Sequence, residues 1–287
     1  MQMRNLYSQT SYGKIHALEL GNPEHDVVVF MHGFPGSHLQ AAVLREHAEA
    51  LKFRVIAFDR PGYAYSETFQ EPSLKNFVLS TEEFFDEHKI KNFHIVGVSG
   101  GNPSAISSAA HFGSRVKGLG SICGMAPIAV FPLAFTSLQR YGLEFAKNIP
   151  RGLLIRFLNF VLTRISPDEI MKRFLTTVNL ADREVLQSPG MRKVLIESMT
   201  SSRAQGSQGI VFDLKTFSSD WSKALDEIRC PYYLWHGKQD KILSFEMSIL
   251  VNRRVPHSKL KLYENEGHYS LPIRCGREIL TELMKER

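Results

Sequence analysis

The sequence predicts an α/β fold with a doubly wound, mostly parallel sheet and an all-helical insertion after the strand near residues 116–122. Three observations predict it. In the first 125 residues, short apolar runs alternate with segments of helical periodicity, as in β-α-β units. From about 126 to 225 the periodicity is helical only. Strand-like runs then return at 231–235 and 259–263, so a helical segment interrupts one sheet.

The elements before residue 91 each carry a local signal. Residues 4–20, with Gly13-Lys14 at the middle, predict an antiparallel hairpin on the edge of the sheet. The runs 26–31 and 53–58 are short and apolar and are followed by glycine or proline, which is typical of buried parallel strands. Ser73 is placed to cap a helix that extends to Ile90.

The next elements surround a glycine-framed serine. A strand at 93–96 precedes Ser99, a helix of small residues covers 105–110, and a further strand covers 116–122. The uncharged run 118–139 is long enough for a membrane span. Its internal prolines favour a strand followed by a connection instead, so we expect no membrane span.

These elements divide the chain into two parts. We expect a core domain of residues 1–125 and 226–287 and a helical cap, or lid, of residues 126–225. The segment 153–165 of the cap is apolar at nearly every position. Such a helix is expected to be covered on two sides, by the core of the cap and by the sheet domain or a ligand. Two interpretations remain open: it roofs an acyl pocket, with Phe157, Leu158 and Phe160 as candidate pocket-facing side chains, or it belongs only to the core of the cap.

Composition narrows the class of protein. The 287 residues are 43% hydrophobic and 22% charged, as in ordinary globular domains. Most of the net charge of +6 falls within 126–225, where cations alternate with acids, so we expect no nucleic-acid partner. Cys123, Cys230 and Cys275 lack a C-x-x-C spacing and indicate free thiols in a reducing compartment.

The start of the chain shows no apolar run of signal-peptide length, so we expect a cytoplasmic protein. The sequence predicts a small-molecule substrate and neither a cofactor nor a metal. It leaves open whether the protein forms a homo-oligomer.

Ser99 is the candidate nucleophile. It follows an apolar run and lies between Gly97 and Gly101 in a G-x-S-x-G pattern. A residue at the corner between a strand and a helix adopts a strained, often positive-φ conformation, and side chains two positions away would collide. Glycine removes that collision and leaves the hydroxyl exposed at the carboxyl edge of the sheet.

A serine hydroxyl needs a base, and the base needs a carboxylate that orients it. Asp240 follows the strand 231–235, and His268 follows the strand 259–263, in the chain order expected for this fold. His236 competes as the base but is better interpreted as structural. Weaker candidates for the acid precede the strand at 231; they are Asp213, Asp220 and Asp226.

The developing oxyanion requires backbone donors. The Gly100 N–H follows the nucleophile at a helix start, and the Phe34 N–H is free to serve as the second donor, whereas Pro35 has none. His32 and Gly33 would shape that turn.

Five ordered motifs resemble the signatures of the α/β-hydrolase superfamily. They are HGFPGS (32–37), DRPGYAYS (59–66), GVSGG (97–101), WHGKQD (235–240) and ENEGH (264–268). The resemblance covers residues 4 to 285 and implies a Ser/Asp/His hydrolase with an oxyanion hole from Phe34 and Gly100. Ala64 stands where many relatives have glycine. Epoxide hydrolases and haloalkane dehalogenases share the fold but need an aspartate where this chain has Ser99.

The sequence therefore predicts a serine hydrolase that cleaves an ester or related acyl bond of a small, largely apolar substrate through an acyl-serine intermediate. Two alternatives remain open. One is a peptidase or C–C bond hydrolase with the same three residues, and the other is a ligand-binding member of the fold with little turnover.

Overall fold

An eight-stranded sheet runs through the computed structural model, which describes residues 2–285. The strands are β1 (Met3–Thr10), β2 (Gly13–Leu20), β3 (Asp26–Met31), β4 (Phe53–Phe58), β5 (Phe93–Val98), β6 (Val116–Ile122), β7 (Tyr232–Gly237) and β8 (Lys259–Tyr263). Their order across the sheet is β1-β2-β4-β3-β5-β6-β7-β8. Strands β3 to β8 are parallel, and β1 and β2 form an antiparallel hairpin at one edge. The predicted mostly parallel sheet is confirmed.

Helices cover both faces of the sheet. Those outside the insertion are α1 (Arg45–Leu51), α2 (Leu74–Glu87), α3 (Asn102–Phe112), α10 (Lys223–Asp226), α11 (Glu246–Arg254), α12 (Ser270–Arg274) and α13 (Gly276–Leu283). Short 3-10 helices cover His38–Leu44, Ser99–Gly101, Gly113–Arg115 and Pro132–Ala134. One face of the sheet packs against α2, α3 and α11 and the other against α1 and α13, which is the predicted doubly wound arrangement.

The helical insertion lies between β6 and β7, as the sequence predicts. Its helices are α4 (Ser137–Asn148), α5 (Arg151–Leu162), α6 (Pro167–Thr177), α7 (Leu180–Gln187), α8 (Pro189–Ser201) and α9 (Gln208–Ser218). Two of them start at capping boxes. The side chains of Thr136 and Ser166 accept a hydrogen bond from the backbone of the third helical residue, whose own side chain accepts one from the backbone N–H of the cap residue. Every helix within residues 2–285 is too short or too polar to cross a bilayer.

Several predicted bounds are corrected by the structure. Helix α2 ends at Glu87 and not at Ile90, and β5 continues to Val98. The hairpin turn consists of Ser11 and Tyr12, so Gly13, expected at the centre, instead begins β2. Strand β7 continues two residues beyond the predicted end, to Gly237.

The helix predicted at 153–165 is α5, and it is not covered on two sides. Only Leu154 is buried on it, and Leu153, Phe157 and Phe160 are each more than half exposed. The prediction was wrong because nearly every position of α5 is apolar, so the sequence pattern does not reveal which face packs inward.

Candidate functional site

Ser99 lies at the corner between β5 and α3. Its φ is 54°, a left-handed conformation that is uncommon for a residue with a side chain. A Cβ on Gly97 would lie 2.7 Å from the Cβ of Ala105, and a Cβ on Gly101 would overlap the carbonyl oxygen of Met31. The two glycines therefore let α3 start directly against β5 and β3, which holds the Ser99 hydroxyl at the carboxyl edge of the sheet.

Three side chains meet at this edge. Ser99 Oγ lies 2.9 Å from His268 Nε2, and His268 Nδ1 lies 2.7 Å from Asp240 Oδ2. All three residues are buried. Because the carboxylate can only accept, Nδ1 carries the proton, and Nε2 is left to accept the proton of the serine hydroxyl.

The register of the parallel strands brings these residues together. Val98 pairs with Ile122, Ile122 with Trp235, and Trp235 with Lys261, so the carboxyl ends of β5, β7 and β8 lie at one edge. Asp240 follows β7 by three residues and His268 follows β8 by five. Loops of these lengths let His268 reach Ser99 and Asp240 reach His268.

Several hydrogen bonds fix the position of the Asp240 carboxylate. Its Oδ1 accepts hydrogen bonds from the backbone of Ile242 at 2.7 Å and of Leu243 at 2.9 Å. Its Oδ2 also lies 3.1 Å from Nε2 of His236, whose Nδ1 lies 2.7 Å from Ser248 Oγ. His236 thus contacts the acid and not Ser99, which agrees with its structural interpretation.

A buried carboxylate of the helical insertion holds the loop of His268. Asp182, in α7, accepts hydrogen bonds from three successive backbone N–H groups, those of His268 at 3.0 Å, Tyr269 at 2.9 Å and Ser270 at 2.8 Å. These groups open the short helix α12, whose first donors would otherwise be unsatisfied. The sequence does not predict this role of Asp182, because no local pattern indicates a contact across 86 residues.

The environment shifts the pKa values of both partners. Burial alone would raise the pKa of Asp240, but the charge of His268 and the hydrogen bonds from His236 and His268 hold it well below its usual range. Burial alone would lower the pKa of His268. The charge and hydrogen bond of Asp240, with the charge of Asp182, outweigh burial and raise the pKa of His268 above 6.5.

Backbone donors lie beside the serine. A Cβ on Gly100 would approach Phe34 Cβ to 2.6 Å, so the absence of a side chain lets the turn after β3 come this close to the serine loop. In the described part of the chain, the Phe34 N–H donates to no acceptor. The Gly33 N–H donates to Gln40 Oε1 at 2.8 Å, which fixes the start of this turn.

Arg60 connects the turn after β3 to the insertion. Its buried guanidinium donates to the His32 carbonyl at 2.5 Å and to both carboxylate oxygens of Asp213, in α9. Tyr63 donates to the same carboxylate at 2.7 Å. Ala64 adopts φ 42°, the left-handed conformation in which glycine is favoured. The loop therefore forms this turn with alanine in place of glycine.

The weaker candidates for the acid all lie in other contacts. Asp213 pairs with Arg60, Asp220 accepts from the Ser222 backbone at 2.9 Å, and Asp226 pairs with Arg254 at 2.7 Å. The structure therefore brings Asp240, and not these residues, to His268.

Two apolar cavities meet at Ser99. The α4–α5 cavity, of about 400 Å³, is lined by Phe34, Ser99, Gly100, Met125, Phe135, Gln139, Gly142, Leu143, Phe145, Ala146, Leu154, Phe157, Leu158, Leu214, Phe217, Ile242 and Leu243. The α6–α8 cavity, of about 80 Å³, has Ser99 and His268 in its wall together with three methionines of the insertion, Met171, Met191 and Met199. Phe34 and Ser99 line both cavities, so the hydroxyl lies at their junction.

Within residues 2–285, two side-chain clusters have donor atoms close enough to hold a metal ion. They are His16, His38 and Asp59, and Cys123, Asp240 and His268. In the first, the Nδ1 atoms of both histidines lie within 2.8 Å of Asp59 Oδ2, so hydrogen bonds satisfy the carboxylate. The second contains the acid and imidazole already described.

The model of the alpha/beta hydrolase fold family matches residues 26–273. The chain belongs to this family, and it is a hydrolase. It is 23% identical over 243 residues to the AB hydrolase superfamily protein YisY of Bacillus subtilis, covering 84% of each chain. It is 23% identical to a 2-hydroxy-6-oxononadienedioate/2-hydroxy-6-oxononatrienedioate hydrolase of Cupriavidus pinatubonensis, covering 90% of this chain and 85% of that protein.

Solved structures share the fold of this hydrolase. An esterase from Exiguobacterium antarcticum superposes with a TM-score of 0.72 at 20% identity, over 98% of this chain and 99% of that one. Relatives thus include esterases and hydrolases of other bonds, so the reaction must be argued from the site of this chain.

Proposed function

We propose that this hydrolase cleaves esters of small, largely apolar substrates through an acyl-serine intermediate, with Ser99, His268 and Asp240 as its catalytic residues. The observation that carries the proposal is the hydrogen-bonded series from Ser99 Oγ to His268 Nε2 and from His268 Nδ1 to Asp240. A base of raised pKa, oriented by a buried carboxylate, is what activation of a serine hydroxyl requires.

The reaction has two halves. Ser99 Oγ bonds to the carbonyl carbon as its proton moves to His268 Nε2, and the carbonyl oxygen becomes an oxyanion bound by the N–H groups of Phe34 and Gly100. When the bond to the leaving oxygen breaks, His268 gives that oxygen the proton and the alcohol departs. Water then attacks the acyl-serine, loses its proton to His268, and the acid leaves as Ser99 Oγ regains the proton.

The linings of the two cavities suggest which one receives the alcohol of the ester and which one receives its acyl chain. His268 must reach the leaving oxygen, and it lines the α6–α8 cavity, so that cavity receives the alcohol. Gly100 lines the larger α4–α5 cavity, which receives the acyl chain. We therefore propose an ester whose apolar acyl group is larger than its alcohol.

A C–C bond hydrolase is the alternative. The relative from Cupriavidus pinatubonensis is named for a substrate that carries two carboxylates. No arginine or lysine lines either cavity of this chain within residues 2–285. Burial of a carboxylate without a cationic partner is costly, so the linings favour the neutral ester.

Two ester series and a serine-directed probe test the proposal. With methyl alkanoates, each added acyl methylene should raise kcat/KM by up to about fourfold until the cavity is full. With alkyl acetates, in which the alcohol is lengthened instead, the rise in kcat/KM should stop after fewer carbons. Ser99→Ala should lower kcat by about a million-fold while the melting temperature is kept, and an organophosphonate should label Ser99 alone.

Labelling at another residue, or full activity of Ser99→Ala, would contradict the proposed nucleophile. Turnover of the dienedioate in place of the esters would assign the C–C bond reaction to the same three residues.

A further inference from the structure

The exposed apolar side chains of this hydrolase are concentrated on two helices of the insertion. Of the eleven large apolar side chains that are exposed in residues 2–285, six lie on α4 and α5, with exposed fractions between 51% and 83%. They are Leu138, Tyr141, Phe145, Leu153, Phe157 and Phe160. A contiguous exposed apolar surface of this kind marks an interaction site.

Spacing places these side chains on one face of each helix. On α4 they lie at Leu138, Tyr141 and Phe145, and on α5 at Leu153, Phe157 and Phe160, which are intervals of three and four residues. The rings of Phe145 and Phe157 are 6.4 Å apart, so the two faces adjoin. We call this surface the α4–α5 face.

Exposed cations lie on α4, on α5 and in the turn that follows α5. Residues 137–165 contain five lysines and arginines and one acid, Glu144. Lys147, Arg156 and Arg164 are exposed, and none of the three pairs with a carboxylate in the described part of the chain. The guanidinium of Arg164 lies 3.5 Å from the ring centroid of Phe160, so charge and apolar surface are adjacent.

We propose that the α4–α5 face docks on the surface of an anionic phospholipid bilayer. Helices with aromatic and leucine side chains on one face, flanked by arginine and lysine, bury the apolar face at the headgroup boundary while the cations bind anionic headgroups. A second copy of this chain is a poorer partner. A two-fold contact through this face would oppose the same unpaired cations.

Docking would also place the α4–α5 cavity next to the bilayer. Phe145 and Phe157 belong both to the exposed face and to the wall of the α4–α5 cavity, which extends to Ser99. An ester in the bilayer could then enter the cavity without crossing water. This step rests on the proposed function, whereas binding to the bilayer does not.

The test measures vesicle binding with Ser99→Ala protein, so that no lipid is hydrolysed. Flotation with phosphatidylcholine vesicles, with and without phosphatidylglycerol, should show binding to the anionic vesicles that weakens as salt is added. Leu138→Gln with Phe160→Gln should reduce the partition coefficient by about tenfold or more. Arg156→Glu with Arg164→Glu should reduce it by at least about 25-fold.

Matched controls lie elsewhere on the insertion. Leu180→Gln changes an exposed leucine of α7, and Lys172→Glu with Arg173→Glu reverses two exposed cations of α6. Both should bind vesicles as the parent protein does. All the substituted side chains are exposed and none lines either cavity, so melting temperature and hydrolysis of a water-soluble ester by the Ser99 protein should be unchanged.

Three results would overturn the proposal. The first is a parent protein that binds neither kind of vesicle, and the second is an equal loss of binding in the control variants. The third is a dimer in sedimentation that Phe160→Gln dissociates while vesicle binding is absent, which would make the face a contact between two copies.

Discussion

Asp240 Oδ2 lies between two imidazoles, those of His268 at 2.7 Å and His236 at 3.1 Å. Asp240→Asn keeps the volume but offers an amide to His268 Nδ1, which favours the tautomer with its proton on Nε2. We expect kcat to fall by about ten-thousand-fold. Asp220→Asn, at an exposed carboxylate that accepts from Ser222, is the matched control and should keep full activity. Equal losses in the two variants would refute the assigned acid.

His268 determines the expected pH dependence. It acts as a base only when neutral, and Asp240 raises its pKa above 6.5. The kcat/KM of the free enzyme should therefore rise with pH through a midpoint above 6.5, measured with an ester whose own ionisation does not change. In Asp240→Asn the residual activity should have a lower midpoint, because the charge that raises the pKa is gone. An unshifted midpoint would assign the profile to another group.

The same raised pKa contributes to stability. The protonated His268 interacts with Asp240 more strongly in the folded protein than in the unfolded chain. This contribution is complete below the unfolded pKa of about 6.5 and is lost as pH rises through the higher folded value.

At the scale of one element, α5 contains side chains in three environments. Phe157 is half exposed and lines the α4–α5 cavity, Phe160 is 61% exposed and lines neither cavity, and Leu154 is buried in the wall of the α4–α5 cavity. Phe157→Ala should allow longer or bulkier acyl groups in the ester series. Phe160→Ala should leave both the acyl profile and stability unchanged. Leu154→Ala should lower the free energy of unfolding by about 2–5 kcal/mol.

Melting curves and acyl-chain profiles of the three variants test this assignment. If Phe160→Ala shifted the profile and Phe157→Ala did not, the inward face of α5 would be misassigned.

The sequence predicted the helices and strands better than it predicted which face of a helix packs inward. Glycines at 97 and 101, a carboxylate after β7 and an imidazole after β8 are local signals, and the structure brings Ser99, His268 and Asp240 within hydrogen-bonding distance. The outward direction of Phe160 could not be predicted, because α5 is apolar on most of its circumference. The contacts of Asp182 and Asp213 could not be predicted either, since both span large sequence separations.

At the scale of the whole molecule, a buried ion pair joins the insertion to the sheet. Asp213→Ala would leave the Arg60 guanidinium buried without its carboxylate, and we expect a loss of about 3–5 kcal/mol in the free energy of unfolding. Activity should fall as well, because Arg60 holds the His32 carbonyl before the Phe34 donor.

Asp226→Ala is the matched control for chemical denaturation. It removes a solvent-exposed pair with Arg254 and should leave the midpoint of unfolding almost unchanged. If Asp213→Ala changed the midpoint as little, the Arg60 pair would not hold the insertion to the sheet.

Together, the carboxylates of Asp182 and Asp213 limit how substrate can enter the site and product can leave it. Asp182 binds the loop that carries His268, and Asp213 binds Arg60, which donates to the His32 carbonyl in the turn that precedes Phe34. Swinging the whole insertion away from the sheet would therefore leave buried groups unpaired on both sides of the serine. We therefore expect substrate to exchange through rotation of Phe145 and Phe157, which are exposed and line the α4–α5 cavity, while Ser99, His268 and Asp240 stay in contact.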